Sequence, residues 1–182
     1  MKKFSTKQLA FDAMFAAMVA VLGYVSLDLG NIKLSFESLP IAIGAILFGP
    51  LDGFGIAGVG TFIYQILRYG FSATTFLWIL PYCVYGIVVG AYAKRHNFRL
   101  DLKELIPIIV ISEIIITLLN TGVMYIDSKI YGYYSFAYVF GTFILRIVVT
   151  VVRGIAFALV IPPILKPLRK MAGLHVQKAA EA

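Results

Sequence analysis

Apolar residues in this chain come in long blocks, and polar residues collect in the gaps between them. The blocks run from about Gln8 to Val25, Phe36 to Phe48, Leu51 to Leu67, Ala73 to Ala93, Leu105 to Ile126 and Phe136 to Leu165. Most approach the roughly 20 residues that a helix needs to cross a bilayer. The pattern predicts six membrane spans joined by short connections.

The stretch FESLPIAIGAILFGPLDGFGIAGVG, Phe36 to Gly60, is the most informative junction. Pro50 lacks a backbone N–H and clashes with the preceding turn, so the run divides into two helices at Gly49-Pro50. Gly44, Ala45, Gly55, Ala57, Gly58 and Gly60 let those helices approach closely. Between the first two spans, Ser26 to Ser35 is polar enough to leave the hydrocarbon. Gly30-Asn31 is a turn signal there, with alternating apolar residues beside it. Pro81 predicts a kink in span four, and Pro162-Pro163 and Pro167 are expected to stop span six. The loop after span five carries Tyr131, Tyr133, Tyr134 and Tyr138, with Tyr125 just before it, as an interfacial aromatic belt would.

Composition supports an all-α integral membrane protein. Hydrophobic residues are 60% of the 182, charged residues 14%, and mean hydropathy is +0.90, far from a soluble domain. The expected organisation is one compact six-helix bundle over residues 1–172 and a polar tail over 173–182. The formal charge of +7 is clustered at Lys2, Lys3 and Lys7, at Lys94, Arg95, Arg99 and Lys103, and at Lys166, Arg169, Lys170 and Lys178. That is the positive-inside distribution rather than a nucleic-acid surface. Six spans place all three clusters on one side, with both termini in the cytoplasm and Gly49-Pro50 as a tight inner turn. Basic residues before the first block resemble a signal peptide, but its length and the spans that follow favour an uncleaved first helix. Cys83 stands alone, which excludes a disulfide framework. No inverted repeat is visible, which argues against a stand-alone secondary transporter.

Ionisable residues inside spans are costly in hydrocarbon and mark where chemistry or pairing must occur. Glu113 lies in span five, Arg146 and Arg153 in span six. At about 1.5 Å rise per residue, Glu113 falls within reach of Arg153, and a buried structural charge pair is expected. Arg146 is nearer the outer surface with no acidic partner in its layer, open to a substrate carboxylate or to snorkelling. Glu37, Tyr64, Gln65, Arg68, Thr75, Trp78 and Asn120 gather with Arg146 near the outer face. Aromatic rings with a few polar groups at one depth suit a pocket for a planar heterocycle. Interfacial anchoring explains Trp78 and the tyrosines equally well, but explains Gln65, Thr75 and Asn120 less well.

Catalytic and metal-binding patterns are missing. His96 and His175 lie in basic loops or tails, and no Cys/His/Asp cluster has ligand spacing. Asp52-Gly53 matches only the opening of a lipid-head-group transferase motif, without the further aspartates. No Walker A pattern occurs, so energy from ATP must come from another subunit.

These residues, with the pattern Ala13-x-x-x-Ala17 in span one and the stretch LPIAIGAILFGPLDGFGIAGVG, resemble the substrate-binding S component of an energy-coupling factor (ECF) vitamin transporter. The Leu-Pro-Ile and Phe-Gly-Pro elements are most similar to the folate-type branch. The resemblance implies a bacterial cytoplasmic-membrane protein, without cofactor, that captures a B-vitamin-type molecule at the outer face. Folate is favoured; pyridoxine, hydroxymethylpyrimidine and pantothenate are the alternatives, and a non-transport membrane enzyme or assembly protein is the further one. It also implies docking through span one, by Ala13, Ala16, Ala17 and Ala20, on a membrane-embedded coupling subunit served by two cytoplasmic ATPases.

Overall fold

The computed structural model of the chain describes residues 6–29 and 32–173. Among these residues the elements are α1 (Thr6–Tyr24), β1 (Leu27–Leu29), β2 (Ile32–Leu34), α2 (Ser38–Phe48), α3 (Pro50–Tyr69), α4 (Thr75–Arg95), α5 (Leu102–Ile130), α6 (Phe136–Phe140) and α7 (Phe143–Ala172). The bundle is helical, with six principal helices and the short α6. Three segments, Thr6–Tyr24, Thr75–Arg95 and Phe136–Ala172, are long and apolar enough by length and composition to cross a membrane. The alternating stretch after α1 adds a small antiparallel hairpin, with Leu27 opposite Leu34 and Leu29 opposite Ile32. The expected Gly30-Asn31 turn, Lys2, Lys3 and the tail from residue 174 onward, with His175 and Lys178, lie outside the described residues.

α2 is the centre of the fold. It has only 11 residues, and all of them except Leu39 are buried. A helix that is apolar all round belongs inside a structure rather than on its surface. Ile41, Ala42, Ala45 and Ile46 have no more than 0% exposure, enclosed by α1, α3, α4 and α7. This burial explains why the second apolar block is short. Lipid is not what surrounds it.

The Gly49-Pro50 junction breaks the helix as expected. Gly49 has φ 114°, a value that side chains rarely allow, and Pro50 opens α3; proline is well suited to a helix start because its missing N–H would be unpaired there anyway. Further along, α3 and α4 approach backbone to backbone. A methyl group on Gly86 would overlap the backbone of Gly53, and one on Gly90 would overlap Pro50. On the other side of α3, Gly60 lies against the Ala16 carbonyl and Val19 of α1.

The last span departs from expectation in two places. It is interrupted at Gly141-Thr142, which separates α6 from α7. It also does not stop at Pro162-Pro163 or Pro167: α7 continues to Ala172 and ends at Gly173, φ 72°. Ile161 and Leu165 are buried against the core. Tertiary packing of those side chains offsets the lost backbone hydrogen bonds, as happens for proline inside membrane helices. Pro81 and Pro107 are likewise internal to α4 and α5. A capping box between Asp101 and Glu104 starts α5, fixing the short connection from α4.

Candidate binding cavity

A cavity of about 420 Å³ opens where the end of α3 and its connection to α4 face α5 and α7, within the size range of small-molecule sites. Ser35, Tyr64, Gln65, Trp78, Tyr82, Asn120, Asp127, Arg146 and Arg153 are among its walls, with tyrosines 69, 131, 133 and 138. Tyr64 and Gln65 come from the last turns of α3, and the Gln65 amide donates to the Tyr64 hydroxyl at 3.0 Å. Trp78 and Tyr82 are one turn apart on α4, so their rings share a face. Asn120 and Arg146 come from α5 and α7.

Arg146 and Arg153, seven residues apart on α7, meet different surroundings. Arg153 donates to Glu113 and, at 3.2 Å, to the Ser35 carbonyl. Glu113 is fully buried and the Arg153 side chain is 12% exposed. Nearby, Glu37 accepts hydrogen bonds from the hydroxyls of Ser35, at 3.0 Å, and Tyr82. Arg153 therefore belongs both to the charge pair and to the cavity floor. Arg146 is 8% exposed and donates to the Val139 carbonyl at 2.6 Å and to the Met124 sulfur at 2.8 Å. No carboxylate among the described residues pairs with it. Its Nε has no hydrogen-bond partner, nor has Asn120 Oδ1. A buried guanidinium without a counter-charge, and a buried amide oxygen without a donor, leave hydrogen-bonding capacity unmet in two residues of the cavity wall.

The expected site residues divide. Tyr64, Gln65, Trp78, Asn120 and Arg146 line the cavity. Thr75 sits at its margin, its hydroxyl accepting the Ser72 N–H at 2.9 Å, while the adjacent Thr74 reaches the wall. Glu37 lies beneath, outside the lining itself but hydrogen-bonded to two lining residues, Ser35 and Tyr82. Arg68 points away, donating to the Tyr24 carbonyl at 2.7 Å and to Ser26 Oγ at 2.6 Å, so it clamps the end of α1 to α3. Of the alanines on α1, Ala13 and Ala17 are exposed, whereas Ala16 and Ala20 are 5% and 7% exposed and turn inward. The latter two pack within the bundle.

Asp127, Tyr82, Thr117 and Thr150 are wall residues that the apolar pattern did not single out. Asp127 was hidden because it falls just past the apolar block, although the helix continues to Ile130. Tyr82 could have been found from its spacing of four after Trp78. Thr117 and Thr150 meet at 2.8 Å across α5 and α7, a pairing that only the packing of the two helices creates.

The profile of the family described as "ECF transporter, substrate-specific component" matches residues 7–165. The chain belongs to this family. Similar proteins include a UPF0397 protein of Streptococcus thermophilus, 24% identical over 53% of this chain and 54% of the relative. Another, from Lactobacillus johnsonii, is 30% identical over 57% of this chain and 54% of the relative. The chain thus spans about half the length of the curated relatives it matches. Among solved structures, FolT bound with folic acid superposes with a TM-score of 0.63 at 16% identity, over 85% of this chain and 95% of FolT. At that identity the likeness establishes the fold of this substrate-specific component and nothing finer. That fold agrees with the membrane-capable helices.

Proposed function

We propose that this chain is the substrate-capture subunit of an ECF-type importer in a bacterial cytoplasmic membrane, binding a B-vitamin-type molecule in the cavity at its outer face. The observation that carries this reading is Arg146: a buried guanidinium at the wall of an aromatic cavity, with no hydrogen-bond partner for its Nε and no paired carboxylate among the described residues. A ligand bearing an anionic group supplies the missing partner through a charge-assisted hydrogen bond. A planar ring fits between Trp78 and the tyrosines, and donor groups on it satisfy Asn120. Folate has all three features and is the first candidate, in keeping with the folic acid carried by the structurally similar FolT. Pantothenate has the carboxylate without the planar ring. Pyridoxine and hydroxymethylpyrimidine have the ring without the carboxylate.

In this reading residues 1–172 form six spans with both termini cytoplasmic, and 173–182 form a tail. The exposed Ala13 and Ala17 form the docking face for a membrane-embedded coupling subunit, and two cytoplasmic ATPases drive delivery. The test is titration of the purified protein with folic acid, pantothenate and pyridoxine, followed through Trp78, the sole tryptophan. Arg146→Ala should weaken an anionic ligand by about tenfold or more, the equivalent of about 1.5–3 kcal/mol. A neutral ligand should lose far less. Equal losses for both would return Arg146 to the scaffold and move pyridoxine or hydroxymethylpyrimidine ahead of folate.

A further inference from the structure

The mouth of the cavity is organised around one carboxylate that plays no part in the proposal above. Asp127 lies near the C-terminal end of α5 and is 8% exposed. It accepts hydrogen bonds from three segments of the chain. Thr74 Oγ1, from the α3–α4 connection, and Trp78 Nε1, from α4 at 3.4 Å, both reach its Oδ1; the Tyr133 hydroxyl, from the α5–α6 connection, reaches its Oδ2. All four side chains border the cavity. The same two connections are tied once more by the Ala73 N–H, which donates to the Tyr131 hydroxyl at 3.2 Å.

Each connection also has contacts of its own: Ser72 N–H donates to Thr75 Oγ1 in one, and in the other Lys129 lies over the Tyr134 ring and Tyr138 packs edge-on against Tyr133. Each has a glycine of positive φ in its first two residues, Gly70 at 74° and Gly132 at 77°, and neither has a heavy atom near the position a Cβ would take. Trp78 is half-buried, and Tyr133 is 45% exposed. Such rings rotate broadly about χ2 unless packing or a bond at the far edge stops them. Asp127 supplies that bond to both. An ionised carboxylate is acceptor-only at two oxygens, so it can satisfy all three donors together. Few other side chains of that size can.

We infer that Asp127 is a positioning residue for the ligand site, holding the Trp78 indole and the Tyr133 ring as the aromatic walls of the cavity mouth. The ligand-binding consequence rests on the function proposed above, but the positioning itself does not, because these bonds are made within the chain. Asp127→Asn exchanges one acceptor oxygen for an amide N–H. The Tyr133 hydroxyl can still accept from it, but the charge assistance of the bonds is lost and the rings are held less firmly.

Emission and acrylamide quenching of Trp78 read this without any ligand. Asp127→Asn should shift Trp78 emission to longer wavelength and raise its quenching constant. Thr74→Val and Tyr133→Phe, each removing one donor at nearly constant shape, should produce part of the same change. With folic acid as the probe, Asp127→Asn should weaken binding by about tenfold. Unchanged emission and quenching in both Asp127→Asn and Tyr133→Phe overturns the assignment. Should Asp127→Asn fail to fold, Thr74→Val and Tyr133→Phe decide it by the same readout. A changed Trp78 signal in a chain whose wild type ignores folic acid upholds the positioning and refutes folate. An unchanged signal with intact folic acid binding refutes the positioning alone.

Discussion

The α3–α4 crossing and the α5–α7 wall are built on opposite principles. At the crossing, Gly53, Gly86 and Gly90 bring backbones together so closely that no side chain fits between them. Along the upper part of the wall, Thr117, Asn120, Arg146 and Thr150 border the cavity, and Asn120 Oδ1 and Arg146 Nε have no hydrogen-bond partner among the described residues. Close packing yields a frame with one arrangement, because any added volume forces a helix to move. Polar groups facing a cavity yield a surface whose remaining capacity is available to a ligand. The comparison separates residues that keep the bundle together from residues that give it something to do.

Arg153 stands on the border between the two, and removing it should have the largest effect on stability. Arg153→Ala leaves Glu113 buried without its partner, a loss of about 3–5 kcal/mol. The unfolding midpoint of the purified protein should fall steeply, and replacing both residues by leucine should recover much of it. If the double variant is no better than the single one, the pair does more than balance charge. Next comes the crossing itself: Gly86→Ala should cost about 1–3 kcal/mol by overpacking against Gly53, seen in the same melting experiment. A variant as stable as the wild type would mean that α3 and α4 can separate freely.

On the cavity side, Trp78→Ala should weaken binding of a planar ligand by about 1–3 kcal/mol, by analogy with base–aromatic stacking. Its melting temperature should fall less than that of Gly86→Ala, since Trp78 is only half-buried. A large loss of stability instead would make Trp78 part of the frame. The α1 alanines offer a smaller and sharper contrast. Ala17→Leu, on the exposed face, should change stability by no more than about 0.5 kcal/mol while abolishing ligand uptake in cells that contain the coupling subunit. Ala16→Leu should lower stability, since Ala16 lies against α3. If Ala17→Leu leaves uptake intact, docking occurs elsewhere.

The smallest effect concerns pH. Partial burial and the hydrogen bond to Asp127 push the Tyr133 hydroxyl up from its ordinary value of 10.0. The folded chain therefore keeps this proton where the unfolded chain releases it. Its stabilising contribution is complete below about pH 10 and is lost as pH rises further. The stability difference between wild type and Tyr133→Phe should hold steady from neutral pH to about 9 and narrow above about 10. A difference that already narrows near neutrality would point to another titrating group at the mouth.

Much of the frame was legible in advance because it follows from local rules. Glycine followed by proline ends one helix and starts another whatever surrounds them, so the α2–α3 junction could be placed from Gly49-Pro50 alone. The continuation of α7 through Pro162, Pro163 and Pro167 could not. It depends on Ile161 and Leu165 finding a buried surface on other helices, and proline rules carry no information about that surface. The extent of α5 was missed for a similar reason. Asp127 interrupts the apolar run, yet Thr74, Trp78 and Tyr133 satisfy its carboxylate within the folded chain.

Sequence by itself determined the class of molecule: a helical membrane protein with its breaks at glycine and proline, and with Glu113, Arg146 and Arg153 as the unusual charges in apolar surroundings. These are properties of single residues and their near neighbours. Only tertiary structure decided that Arg153 has Glu113 beside it while Arg146 pairs with no carboxylate among the described residues. It also decided that Arg68 clamps α1 instead of facing the cavity, and that Ala13 and Ala17 look outward while Ala16 and Ala20 look inward. The physical reason is that a helix fixes which residues share a face, but not what that face meets. Whether a buried charge is paired or left with capacity for a ligand depends on atoms contributed by helices far apart in the chain.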